Sequence, residues 1–311
     1  MTTLISADLT NSKQWASNKQ CILQYTTTDG KILSTNGYGE EVVDDEAFDA
    51  NVVSHTYTDV GRIIFDKPIT IIRNFAFQFC ANLTSIIIPD GVTKIGRCAF
   101  YRCTRLTNIT IPKSVTEIGE DAFSICISAT NIFIPKNVTK IGIRAFSECD
   151  SLINVTILGG ITSIGIGTFE RCKSLKNINI PNSVTTIGAE AFSLCSSLTD
   201  LSIGNNVETI GKRAFFGCDN LTDITIPNAV TLIGEEAFAW CNGLTHVTIG
   251  NNVIELGMRA FCGCKIETLI CYPKIPPRIK AIKDFGYFKN IIIQAGYEKA
   301  YINSDWGKYF E

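Results

Sequence analysis

LTSIIIPDGVTKIGRCAFYRCTR, residues 83–105, is followed directly by LTNITIPKSVTEIGEDAFSICIS, residues 106–128, the same 23-residue pattern with 12 positions identical. Its phenylalanine recurs at Phe77, Phe100, Phe123, Phe146, Phe169, Phe192, Phe215, Phe238 and Phe261. Three residues after each stands a cysteine: Cys80, Cys103, Cys126, Cys149, Cys172, Cys195, Cys218, Cys241 and Cys264. Nine units in one register define a repeat solenoid, because a coil this short buries its apolar residues only against its neighbours.

Within the unit that opens at Leu83, the pattern LxxIxI points Leu83, Ile86 and Ile88 inward, with the alternation of a half-buried strand. Pro89 ends that strand. Val92 and Ile95 return a second extended segment to the core, and Gly96 is read as the residue that permits the tight corner after it. Ala99 allows close approach, Phe100 fills the section and Cys103 closes the turn. The departures are mild: Thr168 for the alanine, Leu158, Gly204 and Gly250 for the proline, and Arg73 for the glycine. Ala129 replaces the first leucine, so a local cavity or narrowing is expected there.

The ends differ from the middle. Residues 1–59 read as an N-terminal cap containing a half-repeat echo, Glu46-Ala47-Phe48; residues 60–265 are the repeats; residues 266–311 supply a final strand and a C-terminal cap. Pro273, Pro276 and Pro277 are expected to break the rhythm, and Tyr297, Tyr301, Trp306, Tyr309 and Phe310 to cover the last coil.

Composition excludes several classes. The 311 residues are 45% hydrophobic and 19% charged, and 28 basic against 30 acidic side chains leave a net charge of −2 with no basic run to follow a phosphate backbone. Nucleic acid is therefore not an expected partner. No eighteen consecutive apolar residues occur, which argues against membrane insertion, and Met1–Gln20 shows no export signal, leaving a cytoplasmic location open. Thirteen cysteines would ordinarily suggest a disulfide framework, but nine share one repeat position and should stack about 5 Å apart as small hydrophobes. A reduced, packed column is expected, with adjacent-coil disulfides as the alternative. Two histidines and no CxxC pair argue against zinc, and neither a metal nor a cofactor is expected.

The phrase L-T-x-I-x-I-P-x-x-V-T-x-I-G-x-x-A-F-x-x-C, seen at Leu106 to Cys126 and nearly whole at Leu175 to Cys195, closely resembles the BspA-like, or Treponema pallidum-type, leucine-rich repeats. The resemblance covers Val60 to about Lys265, and the flanking YTTTDGKI at Tyr25 to Ile32 and the closing Ile291 to Phe310 resemble those of such proteins from gut Bacteroides and relatives. It implies an α/β repeat solenoid: a curved leucine-rich repeat array of 23-residue coils, with short strands lining one face and irregular or short helical turns on the other. It also implies a secreted or surface protein whose relatives include adhesins for host matrix proteins or other bacteria.

In such an array the residues between the inward positions project from the strand face. One ladder reads Ser85, Asn108, Asn131, Asn154, Asn177, Asp200, Asp223 and His246; the next reads Ile87, Thr110, Phe133, Thr156, Asn179, Ser202, Thr225 and Thr248. These form two rows on one sheet surface. Asparagine and threonine suit repeated strands and turns for their own sake. The functional alternative is a shallow binding face with apolar contacts at Ile87 and Phe133, polar groups at Asn108, Asn131, Asn154, Asn177 and Asn179, charge at Asp200 and Asp223, and His246 at its end. Its partner would be a protein or a cell-surface glycoconjugate, bound weakly or multivalently. Charges at the outer corners, among them Arg97, Glu120, Arg144, Lys212, Arg213, Glu235, Glu236 and Arg259, are expected to pair successive coils. Tyr101, Phe216 and Trp240 are packing residues or a second contact patch. His246 has no evident acidic partner, and no nucleophile with a base, phosphate loop or paired-carboxylate cleft is visible, so catalysis is not expected. A non-catalytic binding module and a structural scaffold or intracellular interaction domain are the two readings left. Capped strand edges limit edge-to-edge association, and the oligomeric state is left open.

Overall fold

The structure is a computed structural model, which describes residues 21–33, 47–280 and 286–310. Each coil contributes a front strand and a shorter rear strand, joined by irregular turns. In the coil that opens at Leu83, the front strand Leu83–Ile87 buries Leu83 and Ile86 and leaves Ile87 exposed, while the rear pair Lys94–Ile95 sends Ile95 into the core. Successive coils stack as parallel strands with a register of 23 residues, Asn108 opposite Asn131, Asn154 opposite Asn177 and Asn177 opposite Asp200. This is the curved leucine-rich repeat architecture, with turns rather than helices behind the strands. Among the described residues the α-helix is Glu298–Ile302, followed by a 3-10 turn at Gly307–Tyr309, and no helix is long and apolar enough to cross a membrane.

The nine repeated phenylalanines are fully buried, and their rings stack face to face with centroids 5.0–5.5 Å apart and planes within 14° of parallel. The Phe123 to Phe146 step beside the buried Ala129 is 5.5 Å, within the range of the other coils. At each end the stack meets a ring turned edge-on: Phe48 against Phe77 at 63° and Phe288 against Phe261 at 75°. An edge-on ring offers its positive rim to the face of the last one, a favoured aromatic geometry, and ends a column that would otherwise present a bare apolar face. Phe48 stands in the half-repeat echo; Glu46, the first residue of that echo, lies outside the described residues.

All thirteen cysteines are free thiols. The column does more than fill space: from Cys103 to Cys264, each Sγ–H donates to the phenylalanine carbonyl of the preceding coil at 3.0–3.4 Å. The thiol is thus a compact side chain that also donates, weakly, to a buried carbonyl at every step.

Three expectations are corrected. Gly96 does not take the left-handed conformation; that falls two residues later, on Cys98, and at the same place on Asp121, Arg144, Glu190, Arg213, Glu236 and Arg259. The glycine is required by close approach, because a Cβ at Gly96 would lie 2.5 Å from the Arg73 carbonyl carbon of the preceding coil. Arg73 itself opens the series and has no earlier coil of that kind beneath it. Second, the prolines near 273 do not end the rhythm. Lys265–Cys271 pairs with His246–Ile249, Arg278–Ile279 pairs with Glu255–Leu256, and Tyr287–Ile293 adds a further parallel strand. Proline is tolerated there because it falls between front and rear strands, where no ladder N–H is needed. Pro273 and Pro277 offer their carbonyls to the Tyr301 hydroxyl at 2.9 Å and the Trp306 indole N–H at 2.8 Å, which fixes the closing segment over the last coil.

The third correction concerns continuity. The front strands form two sheets: one runs from Val52–Tyr57 to Asp200–Ser202, the other begins at Asp223–Thr225. At the N-terminal end Ile22–Thr27 lies antiparallel between Leu83–Ile87 and Gly61–Phe65, so the first unit shares its front strand with the N-terminal segment. The rear strands also divide, between Lys140–Ile141 and Ser163–Ile164. That division follows Leu158-Gly159-Gly160, where Gly160 has φ +91 and leaves no room for a Cβ, which would lie 2.1 Å from the Lys136 carbonyl oxygen.

Candidate binding face

The strand alternation exposes both ladders as the sequence pattern requires. Asn108, Asn131, Asn154, Asn177, Asp200, Asp223 and His246 are exposed in the first row; Ile87, Phe133 and Asn179 are exposed in the second. Ile87 and Phe133 keep 60% and 46% of their surface in water, whereas the second-row residues from Thr156 to Thr248 are threonine, serine or asparagine; beyond them the row continues through Ile270 to Ile292, which is 52% exposed. Thr110 lies between them, in register with both. Ile87 also borders a hollow of about 430 Å³ with Ile22, Gln24, Pro89, Thr110 and Pro112. Gln24 comes from the N-terminal strand paired beside Ile87, a neighbour that repeat spacing could not reveal.

The polar row is largely occupied with itself. Asn154 Nδ2 donates to Asn131 Oδ1 at 2.9 Å, and the Asn177 amide, turned nitrogen-first, donates to Asp200 Oδ2 at 2.6 Å. His246 does have an acidic partner, contrary to the sequence reading: its Nδ1 is 3.3 Å from Asp223 Oδ1 in the preceding coil. Thr245 Oγ1 addresses the same Nδ1 at 2.9 Å. Because carboxylate and hydroxyl meet one ring nitrogen, the imidazole does not relay a proton between them, and the trio lacks the arrangement of a nucleophile, base and orienting group.

Asp200 and Asp223 stand one period apart on either side of the division of the front sheet. Like charges directly opposite on neighbouring strands are destabilising. Each is served from its own coil as well as from a neighbour: Thr199 Oγ1 donates to Asp200 Oδ2 at 3.1 Å beside Asn177, and Thr222 Oγ1 to Asp223 Oδ2 at 2.6 Å beside His246. Thr199 Oγ1 also reaches the Lys176 carbonyl of the preceding coil at 3.2 Å, as Thr245 does the Thr222 carbonyl at 3.3 Å. The result is a shallow groove of about 700 Å³ lined by Asn177, Leu201, Ser202, Thr225 and both aspartates. Candidate residues Ile87 to Asp200 therefore lie on one sheet, and Asp223 and His246 on the next.

Away from this face the outer charges pair coil to coil, Arg97 with Glu120 at 3.4 Å, Lys212 with Glu235 at 3.1 Å and Arg213 with Glu236 at 2.5 Å. Exposed pairs of this kind contribute at most about 1 kcal/mol each. No group of three or more His, Cys, Asp or Glu side chains among the described residues is placed to hold a metal ion.

A family model for the BspA-type leucine-rich repeat region matches residues 53–176 and 162–292. The chain belongs to the BspA-type leucine-rich repeat family. Among solved structures, this BspA-type chain is similar to a leucine-rich repeat protein from Bacteroides ovatus, with 26% identity, a TM-score of 0.57 and coverage of 77% of this chain and 67% of that one. A leucine-rich repeat protein from Eubacterium ventriosum aligns at 25% identity and TM-score 0.49, covering 63% of this chain and 46% of that one. A leucine-rich cell surface protein from Faecalibacterium prausnitzii aligns at 26% identity and TM-score 0.40, covering 74% and 65%. The BspA-type chain thus spans about half to two thirds of the length of these relatives. No curated protein matches it. Leucine-rich repeat solenoids are in general non-catalytic scaffolds for binding protein partners.

Proposed function

We propose that the chain is a non-catalytic binding module that presents the front face around Ile87, Thr110 and Phe133 to a protein or other cell-surface macromolecule, as a bacterial surface adhesin would. The observation that carries this reading is the exposure of Ile87 and Phe133 on either side of Thr110, in strands followed from Thr156 to Thr248 by small polar second-row side chains. Two large apolar groups set one coil to either side of Thr110 offer a partner a neighbouring pair of hydrophobic contacts. Asn108 and Asn179 flank them with amides, and the groove at Asp200 and Asp223 adds charge further along the array.

Purified chain is passed over immobilised extracellular-matrix protein, beside variants Phe133→Ser and Ile87→Ser. The expected result is a loss of binding of about tenfold or more for each variant with an unchanged melting temperature. Equal binding by the variants and the parent would overturn the assignment of this face. A scaffold role is the second reading, and the bonded pairs Asn131 with Asn154 and Asn177 with Asp200 favour it, because they engage the polar groups of the first row within the array. Surface display is a separate part of the proposal, tested by protease treatment of intact producing cells beside a cytosolic control: selective digestion supports it and equal protection contradicts it.

A further inference from the structure

The turns between rear and front strands carry a second exposed cluster, remote in character from the asparagine rows. Phe75 and Phe79 keep 45% and 47% of their surface in water, and both have left-handed backbone, φ 65 and φ 62. A bulky residue at positive φ is strained, and an exposed phenylalanine gains little burial to offset that strain. Later coils place mostly charged residues or glycine at these two points, among them Arg144, Glu148, Gly167, Arg171 and Gly217.

Arg102, on the next coil, completes the cluster. Its guanidinium lies 5.9 Å from the Phe79 ring centre and 5.6 Å from that of Tyr101, and the two rings meet edge to face 5.7 Å apart. Arginines of neighbouring turns are neutralised: Arg97 by Glu120, Arg144 and Arg171 by Glu170, and Arg213 by Glu236, at 2.5–3.9 Å. Arg102 is exposed and has no carboxylate partner among the described residues. Cation–π attraction to the two rings holds the guanidinium near them while leaving its N–H donors in water, open to bidentate pairing with a carboxylate. Aromatic rings beside an arginine are also the composition that dominates protein interfaces.

We infer that Phe79, Tyr101 and Arg102 form a docking site for an acidic segment of a protein partner. The positive, unpaired guanidinium selects the charge of that segment, and the rings of Phe79 and Tyr101 supply apolar contact around it. This site is separate from the front face, so either can fail without the other.

The test uses the full chain and a fluorescein-labelled oligoglutamate peptide at low salt, with oligolysine as the control, read by fluorescence anisotropy. Arg102→Gln should weaken oligoglutamate binding about tenfold, whereas Arg171→Gln, which removes a guanidinium already paired with Glu170, should leave it within about twofold. Phe79→Gly removes the ring and relieves the left-handed strain, so it should weaken binding while the melting temperature holds or rises. Equal losses for the two arginine variants would show attraction to general positive charge and overturn the site. So would unchanged binding in Arg102→Gln, failure of the parent to bind oligoglutamate, or loss of binding only in Phe133→Ser, which would place the peptide on the front face.

Discussion

A Cβ on Gly119 would sit 2.5 Å from the Gly96 carbonyl carbon, whereas a Cβ on Gly165 would find its nearest neighbour at 3.4 Å, the Thr168 hydroxyl. Two glycines at one repeat position are therefore predicted to behave differently. Gly119→Ala should cost about 1–3 kcal/mol by forcing coils apart, and Gly165→Ala should cost under about 1 kcal/mol. Asp121→Gly, at φ 52, should be neutral or stabilising by up to about 1 kcal/mol, since left-handed strain is relieved while backbone entropy is added to the unfolded chain. Urea melts of the three variants decide all of it. The cysteines make a second prediction at this scale. Burial pushes Cys80, Cys149 and Cys195 up to about 12, so these thiols are protonated as well as inaccessible. Only Cys262, which is half-buried, should react quickly with an aromatic disulfide reagent in the native state, and the column should react only on unfolding. Rapid labelling of several column thiols in the folded chain would contradict the packing. The inward Leu, Ile, Phe and Cys positions were legible in the sequence because they repeat with burial. The work of Gly119 was not, because a short spacing between coils and a positive φ select the same residue type and only coordinates separate them.

At the scale of elements, the N-terminal strands carry a pH dependence. The Leu33 backbone N–H donates to the Tyr25 hydroxyl oxygen at 3.1 Å, leaving that hydroxyl to donate to His55 Nε2 at 2.5 Å, an acceptor only when the imidazole is neutral. Burial lowers His55 from 6.5 to about 4. Between these values the unfolded chain binds a proton that the folded chain does not, so stability should fall as pH drops from 6.5 toward 4, by at most about 3 kcal/mol. His55→Phe should flatten this part of a stability-against-pH profile; an unchanged slope would show that His55 is not its source. The break between Asp200–Ser202 and Asp223–Thr225 makes another prediction. Asp223→Asn removes one of two like charges flanking the division and, with it, the exposed pair with His246, so it should leave stability within about 1 kcal/mol and slow amide exchange at Thr225. Front strands could be placed from LxxIxI alone. The division of the sheet could not, because periodicity reports similarity between coils and is silent on where two similar coils fail to pair, here on either side of Asp200 and Asp223. The insertion of Ile22–Thr27 beside Leu83–Ile87 was hidden for a different reason, since it is a contact outside the repeat.

Over the whole molecule, a stack of nine phenylalanine rings closed by Phe48 and Phe288 gives a rigid array on which exposed side chains keep fixed spacings. In such an array stability is the sum of coils and their interfaces, and the exposed positions are free to vary without endangering the core. That separation is why the architecture could be read from one sequence while the binding face had to be chosen by where apolar groups break the pattern, at Ile87 and Phe133. The central claim is that this break contacts a partner. Its most direct test replaces Phe133 with a photo-crosslinking phenylalanine analogue, and Lys212 on an outer corner with the same analogue, and irradiates each chain on matrix-coated surfaces or cells. A crosslinked adduct from position 133 and none from position 212 is the result predicted here; adducts from both alike, or from position 212 alone, would contradict it.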